Sequence, residues 1–181
     1  MEQVCLAKPR GIFRWLQICR LYRTAFPAEE RKPFGIIVKM YRQGRADVWC
    51  VEQGGRFAGF ATTVNGGGLI LLDYLAISGR RRGQGIGSAA MGELQRIYGD
   101  KGFFVEIEST LEDAPNRAER ERRKRFYEAA GMEDLGVEAE VFGVRMELLG
   151  SRCSLDFEGY RNFYRDHYSP WAAEHIKKQA P

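Results

Sequence analysis

The chain has 181 residues, of which 44% are hydrophobic and 29% charged, and its formal net charge is +4. This length and balance indicate a soluble globular protein of one domain, or of one domain with an appendage. No run approaches the roughly 18 apolar residues of a membrane span, which excludes a membrane-spanning protein. The mild positive charge suits an anionic ligand as well as RNA.

The pattern up to residue 77 predicts two helices followed by three strands. After a loose or edge segment over 1–10, apolar residues recur at helical spacing in 12–26 and again in 34–41. Glycines then separate three apolar stretches, and Gly54-Gly55 is a two-residue hairpin signal. We therefore expect an antiparallel meander of three strands, over 46–52, 56–64 and 69–77.

The rest of the chain alternates between helical and extended patterns. The predicted elements are helices over 85–98 and 116–130 and strands over 103–107, 135–141 and 144–149. Beyond Gly150, aromatic residues recur every three and four positions, which predicts an amphipathic C-terminal helix. The order of elements is typical of a mixed α+β domain.

The segment Ser78–Gly87 has the composition of an anion-binding turn. It follows the apolar strand that ends at Ile77 and precedes the predicted third helix. A helix start leaves backbone N–H groups unpaired and carries a partial positive charge, which suits a phosphate. Glycines let the backbone approach a ligand closely, and the three arginines at 80–82 can pair with phosphate oxygens.

Two nucleotide-binding motifs fit this segment incompletely. A Walker A loop fails because no Gly-Lys-Ser/Thr follows the glycines. A Rossmann fingerprint is closer, since Gly85-x-Gly87-x-x-Ala90 has the required form and Glu106 lies about 20 residues further on. However, the glycines do not follow the strand directly, and the chain after Gly85 is too short for two mononucleotide-binding halves.

A third motif fits at every fixed position. Arg82-Gly83-Gln84-Gly85-Ile86-Gly87 has the form Gln/Arg-x-x-Gly-x-Gly/Ala, and it resembles the acetyl-CoA loop of the GNAT superfamily of N-acetyltransferases. The preceding Leu75-Ala76-Ile77 resembles the strand end of that family, and the element order over about 12–149 resembles the order in GNAT enzymes. The resemblance implies a GNAT-like α+β fold, with a mixed, mostly antiparallel central sheet flanked by helices and an added C-terminal helix.

The resemblance also implies acetyl-CoA as the co-substrate. The strand end would pair with the pantetheine through backbone groups, and the loop would bind the pyrophosphate. The cofactor-binding residues implied in this way are Leu75, Ala76, Ile77, Arg82, Gly83, Gln84, Gly85, Ile86, Gly87 and Ser88.

A second stretch, Phe126-Tyr127-Glu128-Ala129-Ala130-Gly131-Met132, looks like the Phe-Tyr-Glu-x-x-Gly-Phe segment of the same family, with Met132 where phenylalanine is usual. The resemblance implies that Tyr127 contacts the cofactor and protonates the departing thiolate of coenzyme A. A thiolate whose pKa is near 8.5 needs an acid close by, and a phenol whose pKa is near 10 can serve. Family members often carry an asparagine before this tyrosine where Arg120 stands here, so the nearby Asn116 is the candidate for that cofactor contact.

Two acids alternate with apolar residues in the predicted strand over 103–107 and just after it. Glu106 and Glu108 should lie on one face of that strand, two residues apart. A carboxylate in a cleft can take a proton from a substrate ammonium if its pKa is raised. We expect Glu106, which lies deeper in the apolar run, to be the more buried acid and the preferred base, with Glu108 as the second candidate.

The four cysteines lie far apart without a C-x-x-C pair, and no zinc-binding spacing is present. We therefore expect reduced thiols and no metal. With no signal peptide in the first residues, we expect a cytoplasmic protein.

The residues and the resemblance together predict an acyl-CoA-dependent N-acetyltransferase. A primary amine of a small molecule or peptide would attack the thioester directly in a ternary complex. The alternatives are a CoA-binding regulatory module without turnover and an acetyltransferase acting on aminoacyl-tRNA, although a nucleic-acid partner is not favoured and no membrane partner is expected. The predicted organisation is a catalytic domain over 1–150 and a C-terminal helical appendage over 151–181, packed on the domain or on a second copy in a homodimer.

Overall fold

The computed structural model describes residues 2–179, apart from the side chain of residue 29. Within this range the helices are α1 (Gly11–Ala25), α2 (Phe34–Arg42), α3 (Ile86–Tyr98), α4 (Arg117–Ala129), α5 (Phe157–His167) and α6 (Pro170–Glu174). The strands are β1 (Val4–Ala7), β2 (Ala46–Gln53), β3 (Arg56–Asn65), β4 (Leu69–Ile77), β5 (Gly102–Glu108), β6 (Glu133–Val141), β7 (Val144–Ser151) and β8 (Ile176–Lys178). The described residues form two compact units: unit 1 holds 2–65 and 72–99, and unit 2 holds 66–71 and 100–179.

Unit 1 carries the strand order β1-β2-β3-β4. β1 pairs antiparallel with β2, and β2 pairs antiparallel with β3, with a register shift at Val51/Glu52. Helices α1 and α2 cover one face through Ile18, Tyr22 and Ile37, which pack against strand residues such as Phe60. Val51 follows Cys50 of that core on β2 and therefore points to the other face, where it forms a second cluster with Ala58 and with Ile86 and Ala90 of α3.

Unit 2 carries β5-β7-β6-β8, with the first residues of β4 beside β5. The pairs β5–β7, β6–β7 and β6–β8 are all antiparallel. Helix α5 packs on β5 through aromatic rings, since the ring of Phe104 meets those of Tyr160 and Phe163 edge to face at centroid distances of 6.2 and 5.1 Å.

The mixed α+β fold and its mostly antiparallel strands are confirmed. The predicted helices and strands up to residue 149 occur in the predicted order, and the predicted edge segment contains β1. The predicted amphipathic C-terminal helix is present as α5, but it ends at His167 and is followed by α6 and then by β8, which pairs with β6. Ser169 caps a new helix, with Pro170 at its first position, so α5 cannot continue through these residues.

Among residues 2–179, no helix has both the length and the apolar character needed to cross a membrane.

Gly59 on β3 leaves no room for a side chain beside the backbone of β4. A Cβ at this position would lie 2.3 Å from the carbonyl oxygen of Ala76. We expect Gly59→Ala to lower the free energy of unfolding by about 3 kcal/mol, because a backbone atom cannot yield as a flexible side chain would. Gly92→Ala is the matched control: its Cβ meets no atom within 4 Å, and alanine should stabilise α3 by up to about 1 kcal/mol. Urea unfolding of both variants measures the difference, and equal stabilities would contradict this packing.

Candidate functional site

The glycine-rich segment between β4 and α3 turns sharply before the helix begins. A short 3-10 turn, Gly79–Arg81, follows β4, and Arg82 returns to an extended conformation. Gly83 and Gly85 then adopt φ values of 75° and 73°, a region that L side chains rarely occupy. Helix α3 begins directly after Gly85, so glycine is needed at both positions for the chain to enter the helix.

The first turn of α3 has backbone amides that the helix itself does not pair. No side chain caps this helix, and the amide of Ala89 is the one that donates to the Gly85 carbonyl, at 3.0 Å. The amides before it have no intrahelical acceptor. A Cβ built at Gly83 or at Gly85 would meet no atom within 4 Å. Unpaired amides, a positive helix end and free space beside them fit a phosphate group.

The arginines of the segment differ in their contacts. Arg82 donates through Nε to the Ile77 carbonyl at 3.1 Å, and Arg81 donates to Gln53 Oε1 at 3.0 Å. Arg80 is exposed, and its carbonyl accepts a hydrogen bond from Gln84 at 3.2 Å. All three guanidinium groups carry charge to the surface around the helix start, where an anionic ligand would be attracted.

Tyr127 lies at the C-terminal end of α4 with its ring buried, at 6% exposure. Burial raises the pKa of Tyr127 to about 12, and the positive charge of Arg123 partly opposes this shift. Its hydroxyl forms no hydrogen bond with any residue in the described part of the chain. The phenol is therefore protonated at neutral pH, and its hydroxyl is available to donate a hydrogen bond to a ligand.

Glu108 is the centre of a polar network between β5 and α4. Its carboxylate forms ion pairs with Arg120 at 2.9 Å and with Arg123 at 3.0 Å. Asn116 donates to the same carboxylate at 3.3 Å and accepts from Arg120 Nε at 2.9 Å. Glu108 is only 6% exposed within this network. The network links the first turns of α4 to β5.

Glu106 contacts α5 instead. Its carboxylate accepts hydrogen bonds from the hydroxyls of Tyr160 and Tyr164, each at 2.8 Å. Glu106 is half-buried, so the expectation that it is more buried than Glu108 is wrong. The reason is that two arginines of α4 close over Glu108 at the end of the strand.

The structure brings the predicted site residues together in two groups. Unit 1 holds the strand end and the loop, in which Leu75 and Ile77 pack with Ile86 of α3. Unit 2 holds Tyr127 and a second set, in which Glu108 and Asn116 are in direct contact while Glu106 faces α5.

Sequence reasoning missed the side chains that engage the two acids. They are Arg120 and Arg123 on α4, which meet Glu108, and Tyr160 and Tyr164 on α5, which meet Glu106. The spacing carries a usable signal, because residues three and four apart lie on one side of a helix. Which strand residue they meet depends on how α4 and α5 pack on β5. That packing is set by contacts between residues distant in sequence.

The thiols and possible metal ligands add no further chemistry among the described residues. The four cysteines are free, and burial raises the pKa of the Cys50 thiol to about 11, which leaves it protonated at neutral pH. Within residues 2–179, no group of three histidine, cysteine, aspartate or glutamate side chains is placed to hold a metal ion.

A family model described as acetyltransferase (GNAT) family matches residues 15–132. No match is found among curated proteins.

Solved structures resemble the chain at low sequence identity. An acetyltransferase of the GNAT family from Bacteroides thetaiotaomicron has a TM-score of 0.73 at 17% identity, over 94% of this chain and 98% of that one. An aminoglycoside 6'-N-acetyltransferase complexed with coenzyme A has a TM-score of 0.66 at 16% identity, over 81% and 96%. Arabidopsis thaliana Naa50, in complex with the bisubstrate analogue CoA-Ac-MVNAL, has a TM-score of 0.62 at 13% identity, over 82% and 98%. At these identities the likeness shows the fold.

Proposed function

Because the chain belongs to the GNAT acetyltransferase family, we propose that it transfers an acetyl group from acetyl-CoA to a primary amine. The observation that carries the proposal is the start of α3, where uncapped amides follow Gly85 and open space lies beside the two loop glycines. Acetyl-CoA offers a pyrophosphate that these amides can bind. The coenzyme A compounds in two of the similar structures support the same donor.

The donor would be held by backbone groups and by charge. The loop from Arg82 to Ser88 would bind the pyrophosphate, with the exposed guanidinium groups pairing with phosphate oxygens. The backbone of Leu75, Ala76 and Ile77 would pair with the pantetheine, as the family resemblance implies. A backbone donor such as the Ile77 amide, aimed at the thioester oxygen, would stabilise the negative charge that develops during attack.

The reaction would be a direct attack by the neutral amine on the thioester carbonyl. The nitrogen–carbon bond forms, the carbon–sulfur bond breaks, the attacking nitrogen releases one proton to water, and coenzyme A leaves as a thiolate. Tyr127 would give this thiolate its proton, since its buried phenol is protonated and has no competing partner among the described residues. A phenol that is not already bound can turn towards the sulfur as negative charge appears there.

The base that removes the ammonium proton is proposed from the two acids of β5. Glu106 remains the preferred base and Glu108 the second, acting directly or through water. The contacts separate the two: phenol hydroxyls hold Glu106 at 2.8 Å, whereas two arginines ion-pair with Glu108.

The acceptor is proposed to be a primary amine of a small molecule or a peptide. The similar structures include both kinds, an aminoglycoside N-acetyltransferase and a complex with a peptide-bearing bisubstrate analogue. Fold alone does not select between them.

The test is amine-dependent release of free thiol from acetyl-CoA, with mass spectrometry to identify the acetylated product. The panel should contain aminoglycosides, polyamines and peptides with free N-termini. We expect thiol release with at least one class and a mass increase of one acetyl group on that amine. Binding of acetyl-CoA without release for any class would favour a regulatory module instead.

A further inference from the structure

Helix α1 exposes the large apolar side chains that an amphipathic helix normally buries. Ile12, Phe13 and Leu16 are 65%, 79% and 57% exposed, and Ile36 on α2 is 42% exposed. Ile18 and Tyr22, by contrast, lie on the inner face of α1 and belong to the core. The apolar side chains near the start of α1 therefore form a surface cluster rather than part of the core.

The same two helices carry cations and no acids. Residues 3–46 contain ten lysine and arginine side chains and two acidic ones, whereas the whole chain has 28 basic and 24 acidic side chains. Some of these cations are paired, as Arg14 is with Glu52 and Lys32 with Asp73. Five others are exposed and form no ion pair with a described residue: Arg10, Arg20, Arg23, Lys39 and Arg42. We call these five cations and the four exposed apolar residues the outer face.

The outer face is one surface because the two helices pack side by side on the same strands. Trp15 of α1 contacts both Phe34 and Tyr41 of α2, at ring-centroid distances of 6.3 and 5.2 Å. Ile18 and Ile37 point from the two helices into one core cluster. Their opposite sides therefore face solvent in the same direction, with arginine and lysine side chains around the apolar residues.

We propose that the outer face docks on a membrane surface rich in anionic phospholipids. Apolar side chains beside exposed cations match the boundary between acyl chains and phosphate headgroups. A second copy of the chain is a poor occupant, because it would bring five exposed cations of each copy together. Nucleic acid would satisfy the cations but would leave Ile12, Phe13 and Leu16 against charged phosphates. Surface docking needs no spanning helix, so it is compatible with the absence of one in residues 2–179.

The test is co-sedimentation of the whole chain with vesicles. We expect binding to vesicles of phosphatidylcholine mixed with phosphatidylserine, weaker binding as salt is raised, and little binding to phosphatidylcholine alone. Equal binding to both vesicles, or none to either, would overturn the proposal. A fluorescent single-stranded oligonucleotide is the competing probe, and tighter binding to it than to the anionic vesicles would assign the face to nucleic acid instead.

Two paired substitutions separate the apolar and the charged contributions. Phe13→Ser with Leu16→Ser should weaken vesicle binding by about a hundredfold, because two large side chains no longer leave water. Arg20→Gln with Arg23→Gln should weaken it by roughly tenfold or more. Leu111→Ser and Arg122→Gln are matched controls, since Leu111 is 65% exposed and the Arg122 side chain 74% exposed, and both lie in unit 2. The substituted positions are exposed, so unfolding temperatures should be unchanged, and variants that bind as the parent does would overturn the proposal.

Discussion

Replacing Gly85 with leucine is expected to abolish acetyl-CoA binding, with the dissociation constant rising by at least about a hundredfold, the cost of two lost charge-assisted hydrogen bonds. Gly85 has a φ of 73°, and the space where its Cβ would stand is free of protein atoms within 4 Å. In the proposed complex that space belongs to the pyrophosphate. The leucine side chain would occupy it and would also strain the backbone that aims the α3 amides. Isothermal titration with acetyl-CoA measures the loss.

The matched control is Gly55→Leu. Gly55 has a φ of 72° and likewise no atom within 4 Å of its Cβ position, and it lies in the turn between β2 and β3. Both substitutions should therefore cost a similar 1–2 kcal/mol of stability, estimated roughly from the left-handed conformation. Only Gly85→Leu should lose the ligand. If it binds acetyl-CoA as tightly as the parent does, the loop assignment is wrong.

Removing the Tyr127 hydroxyl is expected to slow turnover by roughly 100-fold to 10,000-fold, the range for loss of a general acid. Tyr127→Phe keeps the buried ring, which is 6% exposed, so packing at the end of α4 should change little. The affinity for acetyl-CoA should stay within about threefold, because the hydroxyl acts on charge that appears during the reaction. Steady-state kinetics together with donor titration separates the two effects.

Tyr41→Phe serves as the control for loss of a phenol. Tyr41 lies on α2 with its ring against Trp15, and its hydroxyl has no role in the proposed chemistry. That variant should retain the activity of the parent. Full activity of Tyr127→Phe would remove this tyrosine from the mechanism, and another donor, or water, would have to protonate the thiolate.

Local patterns were enough to predict much of the fold. The hairpin at Gly54-Gly55, the strand ending at Ile77 and the helix starting after Gly85 are all present, because turn glycines and apolar periodicity act over a few residues. The conformation of the loop follows from the same local chemistry, since Gly83 and Gly85 occupy positions that need positive φ.

Other features depend on contacts distant in sequence and were not predictable. Glu106 and Glu108 look alike in the strand, yet one meets Tyr160 and Tyr164 and the other meets arginines of α4. The exposure of Phe13 follows from how α1 rotates on the sheet, and helical spacing alone does not fix that rotation. Pro170 signals the break after α5, whereas the regular spacing of the aromatic residues predicts a helix that continues past it.

Thermal unfolding of the chain with and without acetyl-CoA tests the donor assignment most directly. NADH and ATP serve as comparison ligands. Acetyl-CoA at about 100 times its dissociation constant should add roughly 2.7 kcal/mol and raise the unfolding temperature by roughly 5–10 °C. NADH and ATP should have much smaller effects. A shift with NADH and none with acetyl-CoA would contradict the donor assignment and would favour a dinucleotide at the Gly85-x-Gly87-x-x-Ala90 turn.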